Sequence, residues 1–203
     1  MKRITAWPTA PATATAPELA LRPWRPADAA ALVDLYRDEA LRRWTSVTLD
    51  DEAGADRWVR EHQRGWAEGD RFAFAVVETG ADSGSGAEAD AGAGSGAVQG
   101  QPLGHVVLKG VSPDTPSAEV GYWTAAPARG RGVAPRALSA LTDWAFATFA
   151  ADGLARLELL HQVDNTASCR VAQKCGYDLT AHLPASPPDF PLAGHVHVRV
   201  RAD

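Results

Sequence analysis

The sequence predicts a mixed α/β (α+β) fold in which a central twisted, mostly antiparallel sheet carries helices on both faces. Three observations lead there. Short runs rich in β-branched and aromatic residues alternate with longer segments whose apolar residues recur at helical spacing, in the order β-α-α-β-β-β-α-β-α-β-β. A turn rich in Gly and Arg, residues 129–132, joins one strand directly to one helix. The 203 residues suffice for one substantial core and fall short of two, so a single domain is expected over residues 18–203.

Residues 1–17, rich in Ala, Thr and Pro without usable periodicity, read as a disordered leader. Leu19 to Arg22 form a first strand ended by Pro23, and Pro26 sits in the first turn of a helix carrying Ala30, Val33, Leu35 and Tyr36. After a connection through Trp44 to Leu49, Asp50 or Asp51 caps a second helix with Trp58, Glu61, His62 and Trp66 along it, and Gly69 ends that helix. Phe72 to Val77 and Gly104 to Leu108 read as buried strands. Between them, 16 of the 21 residues from Gly80 to Gly100 are Gly, Ala or Ser, too few apolar groups to offset the entropy of ordering, so this is an expanded hairpin connection. Glu119 to Thr124 make the next strand. The helix after the turn places Leu138, Leu141, Trp144 or Ala145, and Phe149 on one face, with Gly153 at its end. Leu154 to Gln162 is a strand. Asn165 begins a helix with Ser168, Val171, Ala172 and Cys175 on one face, terminated by Gly176, and Tyr177 to Leu183 and His195 to Val200 are the last strands.

A net charge of −5 lacks the broad basic surface that nucleic acid requires. Cys169 and Cys175 fall on different sides of one predicted helix, which excludes a disulfide between them and fits a reducing compartment. No stretch approaches the roughly 20 apolar residues of a membrane span, and the first 17 residues lack the apolar core of a signal peptide, so a cytoplasmic protein without membrane partners is expected. Against the negative balance, Arg129, Arg131 and Arg136 cluster at the start of a helix. The first N–H groups of a helix have no intrahelical acceptor and the dipole adds positive charge there, so this turn is a cradle for an anion, with Gly130 and Gly132 removing side chains that would hold a diphosphate away.

Arg129-Gly130-Arg131-Gly132-Val133-Ala134 resembles the Arg/Gln-x-x-Gly-x-Gly/Ala signature of the GNAT superfamily of acetyl-CoA-dependent N-acetyltransferases. Asn165-Thr-Ala-Ser168 and Lys174-Cys175-Gly176-Tyr177 resemble the Asn-x-x-Ser and Glu-Lys-x-Gly-Phe elements of the branch that includes ribosomal-protein N-terminal (alanine) acetyltransferases, as does the Glu119 to Trp123 strand. The resemblance covers roughly Leu19 to the C-terminus. It implies a GNAT-like sheet with strands splayed at the cofactor site, acetyl-CoA as cosubstrate with no metal, an amine acceptor, and a chain for which a homodimer stays open. It further implies cofactor binding by Arg129, Gly130, Arg131, Gly132, Val133 and Ala134, with the pyrophosphate on the amides of residues 131–134 and the pantetheine arm on Asn165. Two positions depart from the family. Pro135 removes one N–H that could reach the phosphates, and Ala172 stands where many relatives carry the Tyr that protonates the leaving thiolate.

Acetyl transfer to an amine needs a base for the ammonium proton, stabilisation of an oxyanion and a proton for the thiolate. Glu119 is the candidate base, since Gly121 on the same strand face leaves room beside its carboxylate; a strand Glu facing solvent or an ion-pair partner is the plainer alternative. Ser168 is the candidate acid, on an otherwise apolar helical face, against a Ser bonding back to a helix carbonyl. A strand N–H near Tyr122 or Trp123 would serve the oxyanion. His195 and His197 suggest metal ligands but are expected to be the wet face of an edge strand, no carboxylate or Cys at useful spacing completing a site, and His62 and His161 read as structural. Trp44, Trp58 and Trp66 read as core before acceptor pocket. Two other functions compete: an acyl-CoA-binding sensor that has lost turnover, and a nucleotide-binding enzyme, which would need a P-loop Lys-Ser/Thr or a Gly-x-Gly-x-x-Gly at a first strand, and neither is found.

Overall fold

The computed structural model describes residues 4, 6–45, 47–80, 100–188 and 190–202. Among these, the elements follow one another as β1 (Thr9–Ala10), β2 (Leu19–Pro23), α1 (Ala29–Leu35), α2 (Glu39–Trp44), α3 (Glu52–Glu68), β3 (Arg71–Glu78), β4 (Gly104–Lys109), β5 (Ser117–Thr124), α4 (Val133–Phe149), β6 (Arg156–Gln162), α5 (Thr166–Lys174), β7 (Asp178–Leu183) and β8 (Gly194–Val200). The strands form one mixed, mostly antiparallel sheet in the order β1-β2-β3-β4-β5-β6-β8-β7. The low-complexity connection expected over residues 80–100 lies, from 81 to 99, outside the described residues.

Alternation along the strands sends two sets of side chains to opposite faces. On β3, Phe72, Phe74 and Val76 join Leu138, Leu141 and Phe149 of α4 in one core, while Ala73 and Ala75 join Trp24, Leu32 of α1 and Trp58 and Val59 of α3 in the other. Small residues on the second face admit large aromatic ones from the helices. Each fully buried Leu or Phe contributes about 1.5–3 kcal/mol, so the two cores clamp the sheet between its helices. The entry to α1 is fixed by a buried bidentate pair, Arg22 donating to both Asp28 carboxylate oxygens at 2.7 Å.

The only parallel pair among the described strands is β5 with β6. It runs in register from Ser117↔Arg156 to Val120↔Leu159 and stops there. Beyond that point β5 stays with β4 as far as Thr124↔Gly104, and β6 stays with β8 as far as Gln162↔Gly194. The sheet therefore opens between Gly121–Thr124 and residues 160–162, which is the splay that the resemblance implies.

Three expectations are corrected. Part of the expected leader is ordered: β1 pairs with β2, Trp7 packs edge-on against Trp66 and Phe74, and the Arg136 guanidinium donates to the carbonyls of Pro11 and Pro17 at 2.9 and 2.7 Å. The connection after α1 contains a helix, α2, capped by Asp38, whose carboxylate accepts from the Ala40 amide. The last strand, β8, is not an edge. It lies between β6 and β7, and β7 is the outer strand, so His197 is 1% exposed rather than wetted.

Candidate active site

The turn after β5 builds the site. Gly130 and Gly132 take φ of 76° and 75°, a left-handed conformation that side chains with Cβ rarely adopt, and Gly132 is the N-cap of α4. Alternating handedness turns successive N–H groups to one side. Among the described residues, the amides of Gly130, Arg131 and Gly132 have no backbone acceptor, and those of Val133 and Ala134 are the free donors of the first helical turn. A Cβ on either glycine would meet no atom within 4 Å, so their requirement is conformational and lies toward open space.

That open space is a cleft of about 500 Å³. Its floor is Tyr122 to Thr124, at the splayed end of β5; the turn from Ala128 to Pro135 closes one end; α2 supplies Ala40, Leu41 and Trp44, and α5 supplies Asn165, Ala167, Ser168, Arg170, Val171 and Lys174. Asn165 caps α5, its Oδ1 accepting from the Ser168 amide at 3.1 Å. The cap points the first turn of α5 at the strand gap. There the Tyr122 hydroxyl donates to Ser168 Oγ at 3.0 Å. Burial pushes the Tyr122 pKa up to about 12, the Ser168 hydrogen bond working the other way, so the phenol stays protonated. A serine oxygen that accepts from a phenol is a stronger donor with its own proton.

The arginines are placed differently from the expectation of a positive cluster. Arg129 lines the cleft but is paired with Asp38; Arg131 is paired with Glu78 at the end of β3 and does not line the cleft; Arg136 holds the N-terminal segment. Uncompensated positive charge comes instead from Arg170 and Lys174, which make no ion pair among the described residues. Sequence reasoning missed both, along with the Tyr122 side chain. Their i, i+4 spacing on α5, one turn beyond Asn165, was the available signal.

Glu119 is not brought to Ser168. It shares its sheet face with Trp123, opposite Tyr122, and its carboxylate pairs with Lys109 across the β4–β5 ladder at 2.6 Å, with 38% of the side chain exposed. The room expected at Gly121 is taken by Val107, whose Cγ1 would lie 3.3 Å from an added Cβ. Glu119 sits two residues before the splay and on the far side of the sheet from the Tyr122–Ser168 pair. Ala172 is fully buried. No described helix is long and apolar enough to cross a membrane.

A family model described as an acetyltransferase (GNAT) domain matches residues 18–178. No curated protein matches the sequence at a significant level. Among solved structures, the ribosomal L7/L12 alpha-N-protein acetyltransferase RimL in complex with coenzyme A is 18% identical with a TM-score of 0.73, the match covering 95% of this chain and 97% of that one. The ribosomal-protein-S5-alanine acetyltransferase from Vibrio fischeri is 16% identical with a TM-score of 0.70, covering 91% and 94%. The microcin C7 self-immunity acetyltransferase MccE, solved with acetyl-CoA and AMP, is 14% identical with a TM-score of 0.71, covering 90% and 92%. At these identities the likeness is one of fold.

Proposed function

The chain belongs to the GNAT acetyltransferase family, and on that premise we propose that it transfers an acetyl group from acetyl-CoA to a primary amine, a protein N-terminus or a small-molecule amine, by direct attack on the thioester. The observation that carries this reading is the run of free amides at Gly130 to Ala134 opening into a cleft whose floor is the splayed end of β5. The diphosphate is proposed to sit on those amides, where helix dipole and N–H groups act together. Arg170 and Lys174 add charge for the remaining phosphate, and Asn165 and the open strand edge hold the pantetheine arm.

In the proposed reaction the amine nitrogen attacks the carbonyl carbon, the C–N bond forms, and the C–S bond breaks from a tetrahedral oxyanion. Three proton positions matter. The ammonium proton leaves first, to Glu119 through water, because the carboxylate lies on the opposite sheet face and two residues from the gap. The oxyanion takes a strand N–H freed where β5 and β6 part. The thiolate takes its proton from Ser168, whose oxygen is held by Tyr122, and Ser168 regains a proton through water from the nitrogen that the attack has left cationic, so that amide and thiol leave neutral. The thioester is already activated toward amines, so the proposed transfer draws on no metal. Ribosomal-protein and microcin-immunity acetyltransferases share this fold.

The test is a screen of acceptor amines, N-terminal peptides included, with acetyl-CoA and thiol detection. The expected result is amine-dependent release of free CoA and an acetylated product by mass. Tight acetyl-CoA binding without CoA release for every amine would replace the enzyme by a sensor.

A further inference from the structure

A second cluster lies under α5, on the far side of the helix from the cleft. His161 on β6 is paired in register with His195 on β8, and His197 follows two residues on, so three imidazoles share the sheet face that α5 covers. Cys169, one residue after Ser168, comes down onto them: its sulfur lies 3.2 Å from His195 Nδ1 and 3.6 Å from His161 Nε2. One ligand atom from each of His161, Cys169, His195 and His197 can be chosen so that all four lie within 4.8 Å of one another. The expectation that no carboxylate or Cys at useful spacing completes a site rested on spacing along the strand; the helix brings a Cys that the strand lacks.

Donor and acceptor counting shows what the cluster needs. His161 Nδ1 is 2.8 Å from the Gln162 carbonyl, and His197 Nδ1 is 3.4 Å from the Tyr177 carbonyl. A carbonyl only accepts, so each of these nitrogens carries the proton and each Nε2 presents a lone pair to the cluster. The single thiol proton can satisfy only one nitrogen. His197 Nε2 is buried and has no hydrogen-bond partner at all, in a residue 1% exposed. An orphaned buried acceptor is destabilising, and a cation at the centre would remove that cost together with the surplus of lone pairs. The contacts to Gln162 and Tyr177 are the outer hydrogen bonds that orient metal-bound imidazoles.

We propose that His161 Nε2, Cys169 Sγ, His195 Nδ1 and His197 Nε2 form a tetrahedral zinc site. In a tetrahedron with Zn–S of about 2.3 Å and Zn–N of about 2.0–2.1 Å, sulfur and nitrogen ligands stand ~3.5 Å apart, close to the 3.2 and 3.6 Å found here. Binding replaces the thiol proton, which passes to solvent, and changes no oxidation state. Four protein ligands leave no position for a substrate, so the ion is structural: it fastens the first turn of α5, and with it Ser168, to β6 and β8. A thiolate with three imidazoles favours zinc over hard cations.

The test uses the full chain, reduced and stripped of metal, titrated with Zn²⁺ against a chromophoric chelator, with Co²⁺ as spectroscopic probe. The expected result is one tightly bound zinc, a rise in Tm on binding, and a cobalt spectrum with a thiolate charge-transfer band and the intense visible bands of tetrahedral geometry. Cys169→Ser and His161→Gln, both at partly exposed positions, should each weaken zinc by at least about a hundredfold while keeping the native circular dichroism, more than the loss of an outer hydrogen bond brings. His182→Gln, beside His195 but outside the four, should leave affinity unchanged. No zinc taken up by the reduced protein, uptake that survives both ligand substitutions, or a cobalt spectrum without the thiolate band would each overturn the assignment.

Discussion

Two groups of histidines lie on opposite faces of the same sheet, and they differ in how their nitrogens are used. On the α1/α3 face, His105 Nδ1 accepts from Trp24 Nε1–H at 2.9 Å and the ring also bonds the backbone of Phe74, while His62 Nδ1 donates to the Trp58 carbonyl at 2.8 Å. Trp24, Trp58 and Trp123 surround them. On the α4/α5 face, His197 Nε2 is one of two buried side-chain atoms among the described residues without a partner, the other being Arg22 Nε. Burial alone does not distinguish these groups. Satisfaction does: the donors and acceptors around His62 and His105 form a closed set, whereas those around His161, His195 and His197 leave a buried lone pair unused. The same contrast separates the free amides of the turn after β5 from ordinary helix starts.

The largest expected effect breaks the open side at its backbone. Gly132→Val adds a branched side chain at φ of 75°, where nothing in the protein obstructs it but the cradle must distort or be blocked. Two charge-assisted hydrogen bonds to a phosphate, at about 1.5–3 kcal/mol each, are at stake, so acetyl-CoA affinity should fall by roughly a thousandfold in a folded protein. Calorimetry decides it; unchanged affinity would remove the cradle.

Next comes the one proposed contributor from the closed face. Glu119→Gln keeps shape but cannot take a proton, so kcat/KM at pH 7 should fall about a hundredfold and recover in part as pH rises and the free amine becomes abundant. As a mere partner of Lys109, exposed as both side chains are, Glu119 would contribute less than about 1 kcal/mol of stability and nothing to the pH profile. Superimposable profiles for the two proteins would end its role as base.

A smaller loss is expected within the open face. Ser168→Ala should lower kcat by roughly ten- to a hundredfold with little change in acetyl-CoA affinity, and Tyr122→Phe, which leaves the serine hydroxyl but removes its donor, by less. If Tyr122→Phe is the more damaging of the two, the phenol itself is the proton source. Its pKa of about 12 predicts that neither variant alters the pH profile below pH 9.

What could be read in the sequence was local chemistry. The Asp51 cap, the glycines of the β5–α4 turn and the Asn165 cap each act within three or four residues of themselves, and all three stand where their patterns place them. What escaped depends on partners far away. Strand β1 is two residues long and is held partly by Arg136, more than a hundred positions downstream. The charges of Arg129 and Arg131 look free in sequence and are quenched by Asp38 and Glu78, on elements that only the sheet order brings near. His195 and His197 alternate with valines, which reads as a half-wet strand; nothing in that spacing shows that Cys169, 26 residues earlier, will cover them.

The smallest effect sharpens the comparison from the closed side. Burial holds His105 well below its ordinary value of 6.5, with the neighbouring His62 and Arg71 adding to it, and burial likewise lowers His62. Both are thus neutral in the folded state at pH values where the unfolded chain is protonated. With more protons bound by the unfolded state, stability is fully present above about pH 6.5 and is lost as pH falls below it, at up to ~1.4 kcal/mol per pH unit for each such group. His105→Gln offers Trp24 Nε1–H a carbonyl acceptor that does not titrate, so the loss of stability between pH 6.5 and 5 should become shallower by about one proton. Urea unfolding of both proteins across that range, in the absence of zinc and with the α5-side histidines common to both, measures the difference. Equal slopes would mean that His105 is protonated in place, and that the closed face has room for a proton that its hydrogen bonds do not show.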